Sequence, residues 1–175
     1  MRYTTVRTAW GWLALAAGSY GLWTLVLPHP EEEETVAILR EKAGAAALIL
    51  DPTAFGDVPD RLAAYFGGER VSFAVDEIDW TGMTPFQREV FAAARQIPYG
   101  EVRSYKWVAQ CINRSRAFQA VGQALKANRL PVIIPCHRVI CQAGDLGGFR
   151  EGHAFKERLL ALEGVATASL ARRAI

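Results

Sequence analysis

The chain has 175 residues, 51% of them apolar and 22% charged, with 15 Gly and 8 Pro. That profile fits one compact unit or two small ones; it excludes a large multidomain machine, a disordered chain, a collagen and a coiled coil. The 3 cysteines, an odd number all placed after residue 110, cannot form a secreted disulfide framework, so a reducing, intracellular compartment is expected. The net charge of +2 hides a division: residues 1–85 carry 6 Lys or Arg against 12 Asp or Glu, net −6, and residues 86–175 carry 14 against 6, net +8. A basic second half points to a polyanionic partner, unless the imbalance merely lies on solvated faces.

Thr8 to Pro30 carries no charge and follows Arg2 and Arg7, the pattern of a signal peptide or a short membrane span of ~20 residues. Gly11, Gly18, Ser19, Tyr20, Gly21 and Thr24 interrupt it, and Gly18-Ser19-Tyr20-Gly21 splits it into two pieces of strand length. A β-hairpin of Trp10–Ala17 with Leu22–Leu27 is therefore preferred, and no membrane association is expected. The acidic run Glu31–Glu34, after Pro28 and Pro30, reads as a solvated loop leading into a helix over 34–43. A strand over 46–50, a helix over 59–66 stopped by Gly67-Gly68, and a strand over 71–75 follow, with Val36, Leu39, Leu62 and Tyr65 as core positions. The irregular connector 76–83 is the expected boundary of an N-terminal domain over 1–80.

From Thr84 the signals sharpen. Thr84-Pro85-Phe86-Gln87 supplies an N-cap, a proline at the first helical position and a capping-box glutamine, and Phe86, Val90, Phe91, Ala94 and Ile97 share one helical face. Pro98-Tyr99-Gly100 ends that helix. Ser104 can cap a second helix to Cys111, and after the turn Ile112-Asn113-Arg114, Ser115 can cap a third over 116–127. Two short helices joined by a tight turn and dressed with Arg103, Lys106, Arg114, Arg116, Lys126 and Arg129 resemble a helix-turn-helix DNA reader. The third helix carries the small residues Ala117, Ala120, Gly122, Ala124 and Ala127, which permit close approach either to DNA or to another helix of the protein.

Val132-Ile133-Ile134 reads as a short buried strand running into Pro135-Cys136-His137-Arg138-Val139, which would place a thiol and an imidazole at the end of a rigid element. A neighbouring His, Arg or helix N-terminus favours the nucleophilic thiolate, so Cys136 is the natural candidate nucleophile. Adjacent side chains of an extended segment point to opposite faces, so a bridging water rather than a direct bond is a second way for His137 to reach Cys136. Without further support the pair also reads as a buried cysteine beside a satisfied histidine. Cys136, His137, Cys141 and His153 match no usual paired zinc spacing, and Cys111 and Cys141 read as small buried apolar residues. The loop Gly144-Asp145-Leu146-Gly147-Gly148-Phe149 would let backbone approach a planar ligand, or is a plain loop. In the final helix, over 153–162 and ended by Gly164, Lys156 lies seven residues before Glu163, on one face. Glu163 is then placed to orient His137 and Lys156 to offset developing negative charge, unless both are surface charges.

Ile97-Pro98-Tyr99-Gly100-Glu101, Ser104-Tyr105, Ala120-Val121-Gly122, Asn128 eight residues before the cysteine, Pro135-Cys136-His137-Arg138-Val139, and Lys156 with Leu159-Leu160 and Glu163 together resemble the O6-alkylguanine-DNA alkyltransferases. The resemblance is strong over 86–164 and weaker at Gly11 with Leu13, Gly21-Leu22 and Tyr65-Phe66 with Gly68. It implies an α/β fold: a small N-terminal α/β domain with a mainly antiparallel sheet, and a mostly helical C-terminal domain over 84–165 containing a winged-helix-like helix-turn-helix. Residues 166–175 are left as a tail.

The resemblance further implies a suicide DNA-repair protein, a methylated-DNA–protein-cysteine S-methyltransferase in which Cys136 takes the alkyl group from O6 of guanine once per molecule. His137 would deprotonate Cys136 through a water, Glu163 would orient His137, and Asn128 would brace the turn between helix and strand. Tyr105 and Lys156 would offset charge on the leaving guanine. Val139, Gly147, Gly148 and Phe149 would line the base pocket. Gln119, Ala120, Gly122, Arg116, Lys126, Arg138 and Ser104 would meet DNA, with the target nucleotide flipped out of the stack. Gln119 stands where the family usually has an arginine that fills the gap left by the flipped base; glutamine lacks its charge and stacking plane, so weaker base extrusion is expected. The expected partner is double-stranded DNA bearing O6-alkylguanine, with O4-alkylthymine as a second lesion, and the expected protein is a monomer with no cofactor and no metal. Its expected place is cytoplasmic, at the nucleoid of a prokaryote, or nuclear in a eukaryote. A non-catalytic alkylated-base recognition protein, a helix-turn-helix regulator and a cysteine hydrolase are the alternatives.

Overall fold

The computed structural model describes residues 1–74, 76–141 and 145–166, and the chain divides into two compact units, Met1–Thr81 and Gly82–Ile175. The first unit is built on a four-stranded sheet in the order β3-β2-β1-β4, from β1 (Arg2–Thr8), β2 (Gly11–Gly18), β3 (Gly21–His29) and β4 (Ile49–Leu50). β1, β2 and β3 form an antiparallel meander, and β4 joins β1 in parallel through Arg2↔Ile49 and Tyr3↔Leu50. The hairpin turns through Ser19-Tyr20 between the paired Gly18 and Gly21.

The uncharged run is thereby explained. Ala14 and Ala16 of β2 pack with Val26 and with Leu39 of helix α1 (Glu32–Ala43), while Leu13 and Leu15 alternate with them and are just as buried. Successive side chains of a strand face opposite ways, so β2 is covered on both faces and has no position for a charge. No helix among the described residues is long and apolar enough to cross a membrane. Helix α2 (Val58–Phe66) adds the buried Leu62, Tyr65 and Phe66, with the Phe66 ring 5.3 Å from that of Trp10.

Four readings of this unit change, the first being that Glu32–Glu34, expected in a loop, form the opening turn of α1. Arg2–Thr8, which the sequence reading left without an element, is a full strand. The expected strand over 46–50 shrinks to Ile49–Leu50, both exposed, and residues 71–74 form no strand, Val75 lying outside the described residues. β4 pairs with β1 alone, the described residues 71–74 join no sheet ladder, and strand propensity without a ladder to join does not make a strand.

The second unit begins with α3 (Pro85–Arg95), whose capping box is complete: Thr84 accepts from the Gln87 backbone N–H, and Gln87 accepts from that of Thr84. A short β5 (Arg103–Ser104) leads into α4 (Tyr105–Cys111), and a turn through Asn113, at φ 57°, leads to α5 (Phe118–Lys126). Ser104 caps α4 by accepting from the Trp107 N–H at 3.1 Å. Ser115 caps nothing: the Ala117 N–H bonds to the Arg114 carbonyl in the preceding turn, and α5 starts two residues later than the expected 116. β6 (Val139–Ile140) pairs in parallel with β5, and α6 (His153–Leu162) closes the unit over a core of Val102, Ile140, Leu146, Leu160 and Val165. Gly144 and residues 167–175 of the expected tail lie outside the described residues.

Candidate active site

Val132-Ile133-Ile134 is no strand. The Ile134 N–H returns to the Leu130 carbonyl at 2.8 Å, Val132 adopts φ 72°, and Cys136, His137 and Arg138 form one 3-10 turn. One side chain organises this path. Asn128, buried just past the end of α5, accepts the Leu130 N–H at Oδ1 (2.9 Å) and donates from Nδ2 to the Ile134 carbonyl (2.9 Å) and to Cys136 Sγ (3.1 Å). The apolar run is therefore buried as a turn, and the sulfur is held by an amide donor. Burial pushes the Cys136 thiol up to about 11, against the pull of the Asn128 hydrogen bond and the Lys156 charge, so the resting sulfur carries its proton.

Behind the thiol lies a buried ionic cluster. Glu163, the residue that ends α6, accepts from His137 Nε2 at 2.7 Å, from Arg138 Nε at 2.9 Å and Nη2 at 3.0 Å, and from the Gly100 N–H at 3.0 Å. Burial works against the charge of Glu163, but its hydrogen bonds to His137 and Arg138 hold the carboxyl well below the ordinary range. Arg138 balances that carboxylate directly. His137, fully buried, is pushed below its ordinary value by desolvation and rests neutral, with the proton on Nε2 facing Glu163 and the basic lone pair on Nδ1.

Arg138 and Ser104 were expected at the DNA surface, and the structure corrects both. Arg138 is buried, donates to Glu163 and to the Ile97 carbonyl (2.7 Å), and lies over the Tyr99 ring, so its charge is turned inward onto a carboxylate rather than outward to phosphate. Ser104 is buried as the cap of α4. The Gly100 N–H is a site group to which the sequence reading gave no role, and Arg138, read there as a DNA contact, is instead a partner of Glu163. Their signal was the Ile97-Pro98-Tyr99-Gly100 stretch, which supplies the carbonyl, the ring and the amide that fix Arg138 and Glu163.

Lys156 is fully buried and donates to the Val139 and Leu146 carbonyls at 2.6 and 2.5 Å, tying β6 to the loop that follows it; burial lowers it to about 8. Tyr105 is pushed up to about 12 by burial, so it stays a proton donor, its hydroxyl lying 3.4 Å from the Gly148 carbonyl. A cavity of about 10 Å³ beside Cys136 is lined by Leu125, Lys126, Asn128, Pro131, Gly148 and Phe149, among others. That is room for about one water. Gly148 and Phe149, both expected in a base pocket, are part of this lining. Val139, also expected in the lining, is instead wholly buried in β6, and Gly147 (φ 66°) backs onto Tyr105, where an added Cβ would fall 2.7 Å from the hydroxyl. Cys111 is exposed and Cys141 half-buried, where both had been read as buried. On α5 and just before it, Arg116, Gln119, Ala120 and Lys126 are exposed, and Gly122 is half-buried against the Tyr105 ring.

Residues 85–165 match the family described as 6-O-methylguanine DNA methyltransferase, DNA binding domain. The methylated-DNA–protein-cysteine methyltransferase of Mycolicibacterium paratuberculosis is 44% identical over 113 residues, 65% of this chain and 67% of that protein. The crystal structure of Mycobacterium tuberculosis OGT in complex with DNA is 36% identical and superposes with a TM-score of 0.76, covering 97% of this chain and 99% of that one. The chain belongs to the methylated-DNA–protein-cysteine methyltransferase family. A second crystal structure, of the M. tuberculosis O6-methylguanine methyltransferase, is 38% identical with a TM-score of 0.72 and covers 93% of this chain and 92% of that one. As a methylated-DNA–protein-cysteine methyltransferase the chain is an O6-methylguanine DNA-repair enzyme, with a helical DNA-binding domain following a four-stranded, mostly antiparallel N-terminal sheet.

Proposed function

We propose that Cys136 is the alkyl acceptor, that it takes its group from O6 of an alkylated guanine flipped out of double-stranded DNA, and that each chain acts once. The observation that carries this is the position of Cys136 Sγ: at the wall of the small pocket, 3.1 Å from Asn128 Nδ2 and beside a neutral His137 oriented by Glu163. A thiol raised to about 11 is a poor nucleophile at rest, so its proton must leave as it attacks. His137 Nδ1 takes that proton through a water. The S–C bond forms as the C–O6 bond breaks, and the guanine leaving with the electron pair receives a proton from Tyr105, which is then reprotonated from His137 through solvent. Asn128 Nδ2 stabilises charge on sulfur, and the Lys156 ammonium, fixed on two carbonyls, adds a positive field. The product is a thioether and no group in the cluster can reverse it.

The pocket is too small for a base in this state, so the loop over 145–151 must open on binding. Exposed Arg116 and Lys126 supply phosphate contacts. The same chemistry suits O4-alkylthymine, and the protein acts as a monomer wherever the cell keeps its DNA. Mass spectrometry after incubation with excess duplex containing O6-methylguanine tests the assignment. One methyl on the Cys136 peptide, saturating at one per chain and absent from Cys136→Ala, is expected. Binding of that duplex with Cys136 unmodified would leave a lesion-recognition protein instead.

A further inference from the structure

A nucleotide that leaves the stack opens a gap one base thick, ~3.4 Å, between two flat apolar faces, and closing it favours a flat apolar side chain. α5 exposes Phe118, Gln119, Ala120, Gln123 and Lys126 to meet it. Among these only Phe118 presents a ring. It is also the large apolar side chain left exposed, at 47%, among the described residues of the second unit, and it sits in the first turn of a helix whose buried face is Val121, Ala124 and Leu125.

Its direction matters as much as its exposure. Phe118, Gly122 and Lys126 are spaced i, i+4 and i+8, which places them on one stripe of α5 over a rise of ~12 Å. Lys126 lines the Cys136 pocket, and Gly122 offers bare backbone against the Tyr105 ring, an added Cβ there falling 3.7 Å from it. The stripe therefore runs from an exposed ring, over a gap without a side chain, to the mouth of the pocket. Arg116 and Lys126, exposed near its two ends, give it the charge to lie on a phosphate backbone.

We propose that Phe118 is the wedge that enters the base stack when the damaged nucleotide swings into the Cys136 pocket, so that Gln119, its neighbour on α5, is spared that task. The inference rests on the reading of Cys136 given above. Single-turnover transfer is measured from two substrates, duplex DNA containing O6-methylguanine and free O6-benzylguanine base, which has no stack to leave. Phe118→Ala slows transfer from duplex about tenfold or more and leaves transfer from the free base within twofold, while Phe118→Trp keeps the duplex rate. An F118A variant that matches its parent on duplex overturns the proposal, and a Gln119→Ala variant carrying the loss instead assigns the gap to Gln119. Equal loss on both substrates makes Phe118 a structural residue and also overturns it. A parent protein that transfers from neither substrate refutes the assignment of Cys136 itself, an outcome distinct from an F118A that matches an active parent.

Discussion

Glu163→Gln preserves shape and removes one charge, and every group around that carboxylate is a donor: His137 Nε2, the Arg138 guanidinium and the Gly100 N–H. A glutamine must turn its NH₂ toward one of them, and the buried Arg138 loses the charge that balances it. Breaking a buried pair from one side costs about 3–5 kcal/mol, much of it the stranded partner. With a denaturant slope of ~2 kcal/mol per M, urea unfolding followed by tryptophan fluorescence should show a midpoint lower by ~1.5–2.5 M. Single-turnover transfer should fall about a hundredfold, because a neutral amide no longer supplies the negative charge that stabilises His137 as it takes the proton. Arg138→Gln together with Glu163→Gln should cost less than the two single changes summed, since each removes the charge that the other strands. A midpoint within ~0.5 M of the parent in Glu163→Gln would refute the view that this carboxylate is the electrostatic centre of the site.

Gly147→Ala places a methyl 2.7 Å from the Tyr105 hydroxyl at a φ of 66°; it should displace the loop from Tyr105 and slow transfer about tenfold or more with DNA affinity kept, measured by single-turnover rate and by anisotropy. Lys156 contributes a pH dependence whose sign follows from its depressed value: folded at about 8 and unfolded near 10.5, the native state sheds its proton first, so the penalty of burying the charge is relieved and stability rises across that window. Urea midpoints at pH 7.5 and 9.5 should show that rise in the parent and not in Lys156→Met.

Local signals carried the fold wherever the chain satisfies itself locally. The Thr84 capping box, the Ser104 cap and the glycines of the first hairpin are contacts within a few residues, and each element begins or turns where they place it. The failures share a different cause. Val132–Ile134 has the apolar content of a strand, but Asn128 holds the chain in a turn by spending both ends of its amide on Leu130 and Ile134, a tertiary choice that periodicity does not record. Arg138 looks like one more cation of a basic half until Glu163, 25 residues later, arrives beside it. The nucleophile and its histidine were legible as neighbours in sequence. Their environment was not, because the 3-10 turn that carries Cys136, His137 and Arg138 points them toward three different partners: an amide, a carboxylate, and that carboxylate together with a carbonyl.

The amide of Asn128 also makes the interval between it and Cys136 a gauge. Its oxygen meets the chain at Leu130, its nitrogen meets it at Ile134 and again at the sulfur, so one planar group a few ångströms across measures off the whole passage from helix to nucleophile. Side chains at 129, 132 and 133 take no part in that measurement; Val132 and Ile133 are held by burial instead, so an apolar replacement of similar size leaves it undisturbed. An inserted or deleted residue does not, since it shifts every later contact by one and carries the thiol off its donor. The passage tolerates a change of apolar side chain and no change of length.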